Sequence, residues 1–258
     1  MDPDTAQVTP LELVSKLRQS AEAAGATFRT GAAVEGVTTT EEATEGVGGR
    51  KVTGVVLEGG EEIPCGKAVV AMGPWAVQAE EWFGVELRVP MEGIKSTSVV
   101  FDGGERVANE PYALFCGEDA HGCHLEVYPR PNGEVYICGC GGSDYVDASR
   151  LRKGGNCDRP EVIKEDPRRV DAATRSFRGM TSVGEAPPTL TQACMRPCPP
   201  DGLPIMGQVP GCEGAFVSAG HNCWGILWGP VTGLLMSELL VRGEIANCAQ
   251  NYALKCSG

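Results

Sequence analysis

The stretch Cys194-Met-Arg196-Pro-Cys-Pro-Pro-Asp201-Gly202-Leu-Pro204-Ile-Met-Gly207, then Ala215-Phe-Val-Ser-Ala-Gly220-His221-Asn-Cys-Trp224-Gly225-Ile226 and an apolar run to Leu240, decides how the rest is read. It offers, in order, an arginine in a mildly apolar setting, a tight turn, a short β-rich strand, a glycine-flanked histidine loop and a helix start. A strand that leads through a glycine loop into a helix is how a backbone is brought against an anionic cofactor. Gly225, Gly229, Gly233 and Ser237 recur every four residues. That spacing suits close packing of a helix on a sheet as well as approach to a bound group, and both readings stand at this point.

The 258 residues carry a formal charge of −12, which argues against a nucleic-acid partner, and no Lys/Arg cluster offsets it. Met1-Asp2-Pro3-Asp4 is acidic and no apolar segment of secretory type follows. The apolar run from Gly225 to Val241 holds Pro230 and Glu238 and reads as shorter than the roughly 20 residues that a membrane span needs. The expectation is a soluble, cytoplasmic chain with no membrane partner. Twelve cysteines are scattered without a Cys-x-x-Cys pair. The spacings of Cys116, His121, Cys123, His124, Cys138 and Cys140 fit no common zinc module, so they read as reduced, partly buried thiols and no metal site is assigned.

Along the chain, Thr9-Pro10-Leu11-Glu12 reads as a capped helix start, with Leu13, Val14, Leu17, Ala21 and Ala24 at helical spacing and Gly25 as the stop. Residues 26–30 read as a short strand and 38–49 as an exposed polar loop, with Gly46-Val-Gly48-Gly49 as linker. Gly59-Gly60 marks a hairpin between 52–57 and 61–65, and the run from Lys67 to Met72 is a buried strand that ends at Gly73-Pro74-Trp75. The middle is strand-rich, over 96–101, 112–116, 124–128 and 134–138, with Asn132-Gly133 as a hairpin cue. Residues 144–160 read as a loop or lid and 160–177 as an amphipathic helix.

Four motifs occur in order: Ala71-x-Gly73-x-Trp75; Tyr128-x-Arg130-x-x-Gly133; Arg196-Pro197 with Asp201-Gly202-x-Pro204-x-x-Gly207; and Gly220-His221-x-x-x-Gly225-Ile226 with Pro230 and Gly233. This order resembles the FAD-dependent oxidoreductases of the D-amino-acid oxidase type, glycine oxidase and sarcosine oxidase included, over nearly the whole chain. The resemblance implies an α/β (mixed α+β) fold in which a Rossmann-like FAD-binding domain interleaves with a mostly antiparallel substrate-domain sheet. The corresponding boundaries are 1–75 and 191–258 for the FAD-binding parts and 76–190 for the substrate domain. It implies FAD as cofactor and a small-molecule amine or amino acid as substrate. Hydride would pass from the amine-bearing carbon to flavin N5, giving an imine and, with dioxygen, hydrogen peroxide.

By the same resemblance Arg196 grips a substrate carboxylate, Tyr128 lines the substrate side, and Gly73, Trp75, Gly220, His221, Trp224, Gly225 and Ile226 lie on the cofactor side. Cys194 matches the position at which the sarcosine-oxidase branch attaches flavin covalently, with an inert thiol as the alternative. The family's strand–G-x-G-x-x-G–helix unit is not found in this sequence, so the FAD-binding domain is expected to be incomplete. Two further readings stay open: a dehydrogenase with another electron acceptor, and a non-catalytic remnant that acts by binding.

Overall fold

Pro10 occupies the first turn of α1 (Pro10–Ala23) in the computed structural model, which describes residues 6–44, 47–86, 90–110 and 112–245. The Thr9 carbonyl accepts the Leu13 N–H at 3.1 Å, but the Thr9 side chain caps nothing, so the predicted capping box does not form. Gly25, at φ +96°, ends the helix as predicted. No residue of α1 is buried, and Leu11, Val14 and Leu17 stand exposed.

β1 (Val34–Thr44) and β2 (Val47–Leu57) form one long antiparallel ladder that runs to Thr44↔Val47. Of the exposed loop expected at 38–49, the described residues 38–44 and 47–49 are therefore strand. Its threonines are β-branched and suit a pleated ladder despite their polarity, and the Thr53 hydroxyl donates to Thr38 across it at 3.1 Å. Gly48 and Gly49 lie within β2, while Gly46 falls outside the described residues. Residues 26–30 form no strand. β3 (Glu62–Pro64) completes the predicted hairpin with β2; β4 (Ala68–Val70) forms where a buried strand was expected, but among the described residues it is an edge strand with Val70 buried and Val69 exposed. After β4 come a 3-10 turn over Gly73–Gln78 and α2 (Ala79–Phe83).

β5 (Glu92–Asp102), α3 (Glu105–Ala108), β6 (Leu114–Phe115), β7 (Glu126–Pro129), β8 (Glu134–Cys138) and β9 (Asp144–Val146) build the middle of the chain. The segment read as a lid at 144–160 is ordered by β9 and by α4 (Ala148–Leu151), whose N-terminus Asp147 caps with bonds from the N–H groups of Ser149 and Arg150. The amphipathic helix is α5 (Pro167–Met180), preceded by a separate 3-10 turn at Pro160–Val162. Pro167 explains the later start, since a proline disfavours helical backbone in the residue before it. Asp166 then serves as cap, accepting the Arg168 N–H at 2.9 Å.

β10 (Leu190–Cys198) pairs along the full length of β5 in an antiparallel sheet of order β10-β5-β8-β7-β6, with β9 on the end of β5. β11 (Ile205–Gln208), β12 (Cys212–Glu213) and β13 (Ala215–Ala219) follow. β13 runs parallel to β4 and antiparallel to β11, and β12 runs parallel to β2. The late strands thus close sheets that the early strands began.

Two clusters hold the fold. One gathers Val70, Val77, Phe83, Met91, Leu151 and Val217 beneath the parallel pair. In the other, Val99, Phe101, Val127, Val135 and Ile137 line one face of the antiparallel sheet under Ala173 and Phe177 of α5, with the Phe101 and Phe177 rings 4.8 Å apart.

The chain ends in α6 (Gly225–Arg242) among the described residues. The apolar run was expected to be too short for a span. With the turn before it, Asn222–Arg242 is 21 residues long at mean hydropathy 1.3, so length and composition do not exclude one. The helix is fastened to the fold by Lys67, whose ammonium donates to the Leu240 carbonyl, and by the histidine loop described below. Met236 and Glu238 are its buried residues.

Candidate functional site

Side chains alternate between the two faces of a strand, and paired residues of antiparallel neighbours share a face. The register Ser96↔Cys194 and Ile94↔Arg196 therefore puts Cys194, Arg196 and Ser96 on the face of the antiparallel sheet away from α5. The pairs Tyr128↔Tyr136 and Glu126↔Cys138 put those residues there as well. Arg196 is half-buried and donates from Nη2 to Ser96 Oγ at 3.3 Å. Cys194 is exposed beside it, a free thiol.

Tyr128 shares this face but not the arginine's neighbourhood: three strand spacings of about 4.8 Å separate β10 from β7. Its hydroxyl donates to Glu126 Oε2 at 2.7 Å, and the Cys138 thiol donates to the same oxygen at 3.4 Å. Burial, reinforced by the Glu126 carboxylate, raises the Tyr128 phenol well above its usual range and pushes the Cys138 thiol up to about 12. Tyr136, 6.1 Å from the Tyr128 ring, is raised to about 12, mainly by burial. These groups are hydrogen-bond donors at neutral pH and carry no charge.

The second half of the site comes from the parallel pair. Ala68↔Ala215 and Val70↔Val217 align β4 with β13, so the turn after β4 and the loop after β13 emerge at the same, carboxyl end. That is where open parallel sheets bind ligands. Both exits are glycines in the left-handed region, Gly73 at φ +56° and Gly220 at φ +89°. At Gly220 a side chain is barred twice, since a Cβ would also lie 2.7 Å from Pro199 Cγ.

Beyond Gly220 the loop is tied on two sides. His221 Nε2 bonds Thr232 Oγ1 of α6 at 2.9 Å, and burial lowers the imidazole pKa, so the ring is neutral at pH 7. Asn222, at φ +52°, accepts from the Cys198 thiol at 3.1 Å. Cys198 is two residues beyond Arg196 on the same face of β10, so this bond draws the loop to the arginine's side of the sheet.

Trp224 stacks on Trp228 with centroids 5.9 Å apart and is half exposed, as is Ile226. Gly225 opens α6, whose first turn has no side-chain cap. Its leading N–H groups are the kind that receive an anionic group. Gly229 and Gly233 have nothing within 4 Å of a built Cβ, so among the described residues they serve no helix-on-sheet packing. Trp75 points elsewhere: its indole N–H donates to the Cys157 carbonyl at 2.8 Å and pins the turn after β4 to the segment after α4.

The structure thus brings Cys194, Arg196 and the Gly220–Gly225 loop together, sets Gly73 at the same end of the parallel pair, and leaves Tyr128 apart. Sequence reading missed Ser96, Asn222, Thr232 and Glu126. Of these only Asn222 had a local signal, as a residue that tolerates left-handed backbone next to a glycine.

Glycine exits from a parallel pair thus stand beside an antiparallel sheet that carries a half-buried arginine. The sequence matches the family described as FAD dependent oxidoreductase over residues 1–239, and the chain belongs to that family. Hydrogen cyanide synthase subunit HcnC of Pseudomonas aeruginosa is 28% identical over 234 residues, covering 91% of this chain and 49% of its own length. Glycine oxidase from Geobacillus kaustophilus superposes with a TM-score of 0.68 at 22% identity, over 98% of this chain and 59% of that one. L-proline dehydrogenase from P. horikoshii does so with a TM-score of 0.69 at 19% identity, over 94% and 58%. The chain spans between a third and a half of the length of the first curated relatives it matches.

The family is FAD-dependent, and the fold is the mixed α/β arrangement expected from the resemblance. The site's own residues fit part of such a cofactor. The left-handed glycines admit a close approach of backbone, and the uncapped start of α6 favours developing negative charge.

Proposed function

We propose that this chain oxidises a carboxylated amine or amino acid to the imine, supplying the substrate-facing and ring-facing half of an FAD site. FAD, when bound, accepts the hydride and is reoxidised by dioxygen or another acceptor. Arg196 would hold the substrate carboxylate, a task that suits its planar fork, while Ser96 limits its rotation. Gly73, Gly220, Gly225 and the neutral His221 would shape the cofactor side. Trp224 and Ile226, exposed at the start of α6, would face it.

The carrying observation is that one hydrogen bond, Cys198 to Asn222, joins the arginine strand to the glycine loop. The names of relatives, glycine oxidase among them, favour an amino acid over a simple amine. Pairing of β4 only with β13 among the described residues, together with the exposed apolar faces of α1 and α6, supports a reading in which a further layer completes the FAD-binding domain.

Purified protein tests the proposal directly. A flavin absorbance band, bleached on anaerobic addition of an amino acid, with peroxide formed on readmission of air, is expected of the oxidase. Bleaching without peroxide identifies a dehydrogenase. Folded, colourless protein that takes up no added FAD rejects catalysis by this chain. Flavin that stays attached after denaturation would assign Cys194 as its anchor, and free flavin would leave Cys194 a plain thiol.

A further inference from the structure

On the opposite face of β5 from Arg196 lies a cavity of about 390 Å³, bounded by β5, the loop into β9 and the start of α5. Its wall is polar. Lys95 and Thr97 come from β5, Ser143 from the loop and Arg169 from α5. The two carboxylates on the rim are already engaged: Asp166 with Arg168 at 2.9 Å, and Asp144 with Arg150 at 3.3 Å and more loosely with Lys95 at 3.8 Å. Arg169 differs. It is half-buried and, among the described residues, has neither an ion pair nor a side-chain hydrogen bond.

Arg169 is nevertheless held in place. Its guanidinium fills the space that a side chain at Gly142 would need, since a Cβ there would stand 2.4 Å from a guanidinium nitrogen, and Gly142 has φ +49°. Only glycine leaves that space. A chain of charge −12 thus keeps a guanidinium without a direct ion pair at a cavity wall, within electrostatic reach of Asp166 and beside a weakly paired ammonium.

One hydroxyl is left with a proton to give. Thr97 Oγ1 accepts the Asp166 N–H at 3.0 Å, which leaves its own O–H free. Arg196 donates to Ser96, and Ser96 and Ser143 share a bond of 3.1 Å. Ser143 Oγ therefore turns to the arginine's face of β5 and is not among the cavity's donors. The cavity therefore offers a guanidinium fork, an ammonium and one hydroxyl, a set of donors that suits a small oxyanion.

We propose that this cavity is a binding site for a small tetrahedral oxyanion, a phosphate group, with Arg169 as its principal ligand and Lys95 and Thr97 completing the set. The site is separate from the substrate face and does not depend on the reading of Arg196 or of the flavin.

Calorimetric titration of the purified chain tests it, with inorganic phosphate and glycerol 3-phosphate at constant ionic strength and chloride as control. Saturable one-to-one binding is expected, weakened at least tenfold by Arg169→Gln and severalfold by Lys95→Gln, with both variants folded by circular dichroism. Tighter binding of the ester would identify a phosphorylated metabolite, and preference for the inorganic ion would identify free phosphate. Should Arg169→Gln not fold, Lys95→Gln carries the test. Failure of wild type to saturate, or unchanged binding in the folded variants, overturns the proposal.

Discussion

Arg196 and Ser96 meet side chain to side chain across β10 and β5, Nη2 to Oγ at 3.3 Å, with Arg196 two residues beyond Cys194, the direct partner of Ser96. The serine takes up one guanidinium N–H and leaves the rest of the fork for a ligand. Arg196→Lys keeps the charge but removes the fork, so KM for an amino-acid substrate should rise about tenfold or more, equivalent to about 1.4 kcal/mol, with little change in kcat. Ser96→Ala should raise KM less. Steady-state kinetics decide, and unchanged KM in both variants would reject the carboxylate role.

Two glycines near the site should respond in opposite directions to alanine. Gly220→Ala meets both a positive φ and Pro199, and should cost about 1–3 kcal/mol. Gly229 is helical with open space around it, so Gly229→Ala should stabilise by about 0.4–1 kcal/mol. Thermal melts of the two variants give the comparison. A neutral Gly220→Ala would contradict the backbone geometry at the loop.

His221 should titrate below its usual value of about 6.5 by NMR, because burial disfavours the imidazolium. The unfolded state then binds the proton first as pH falls. The contribution of the neutral ring is complete above about pH 6.5 and is lost as pH drops through the lower, folded-state pKa. Chemical denaturation at pH 7.5 and 5 should show a loss that shrinks in His221→Gln. A histidine titrating at or above 6.5 would refute the assignment.

Thiol chemistry should separate the cysteines by environment. Cys194 and Cys223 are exposed and should react with a disulfide reagent at pH 8 in native protein. Cys138 and Cys140, each pushed up to about 12 with burial as the main cause, should react only on unfolding. Their protonated form is favoured in the fold, so the stability they add is present below about pH 9 and is lost as pH climbs towards 12. Equal labelling rates for all four would contradict the burial pattern.

Where backbone chemistry is local, the sequence was legible. Pro10, the Gly59-Gly60 hairpin, β8 and the Gly220 loop all sit where their residues place them, since turns and caps need specific φ values. The family, its fold and its cofactor were legible from the order of the motifs. The ladder at 38–44 and 47–49 was not, because threonine and glycine composition resembles a loop until a partner strand is present. The exposed face of α1 was also hidden, since helical periodicity reports amphipathicity but not what covers it. Ser96 and Thr232 owe their roles to register and to helix placement, and neither leaves a local mark.

The parallel pairing of β13 with β4, and of β12 with β2, has a consequence for biosynthesis. Ala68 must wait for Ala215, so as the chain leaves the ribosome the early strands stand with open edges through most of translation. Closing so long a loop is slow, and unpaired edges invite association with other chains. A product cut short before residue 215 would lose the partner of β4 along with the glycine loop. It should accumulate as aggregate.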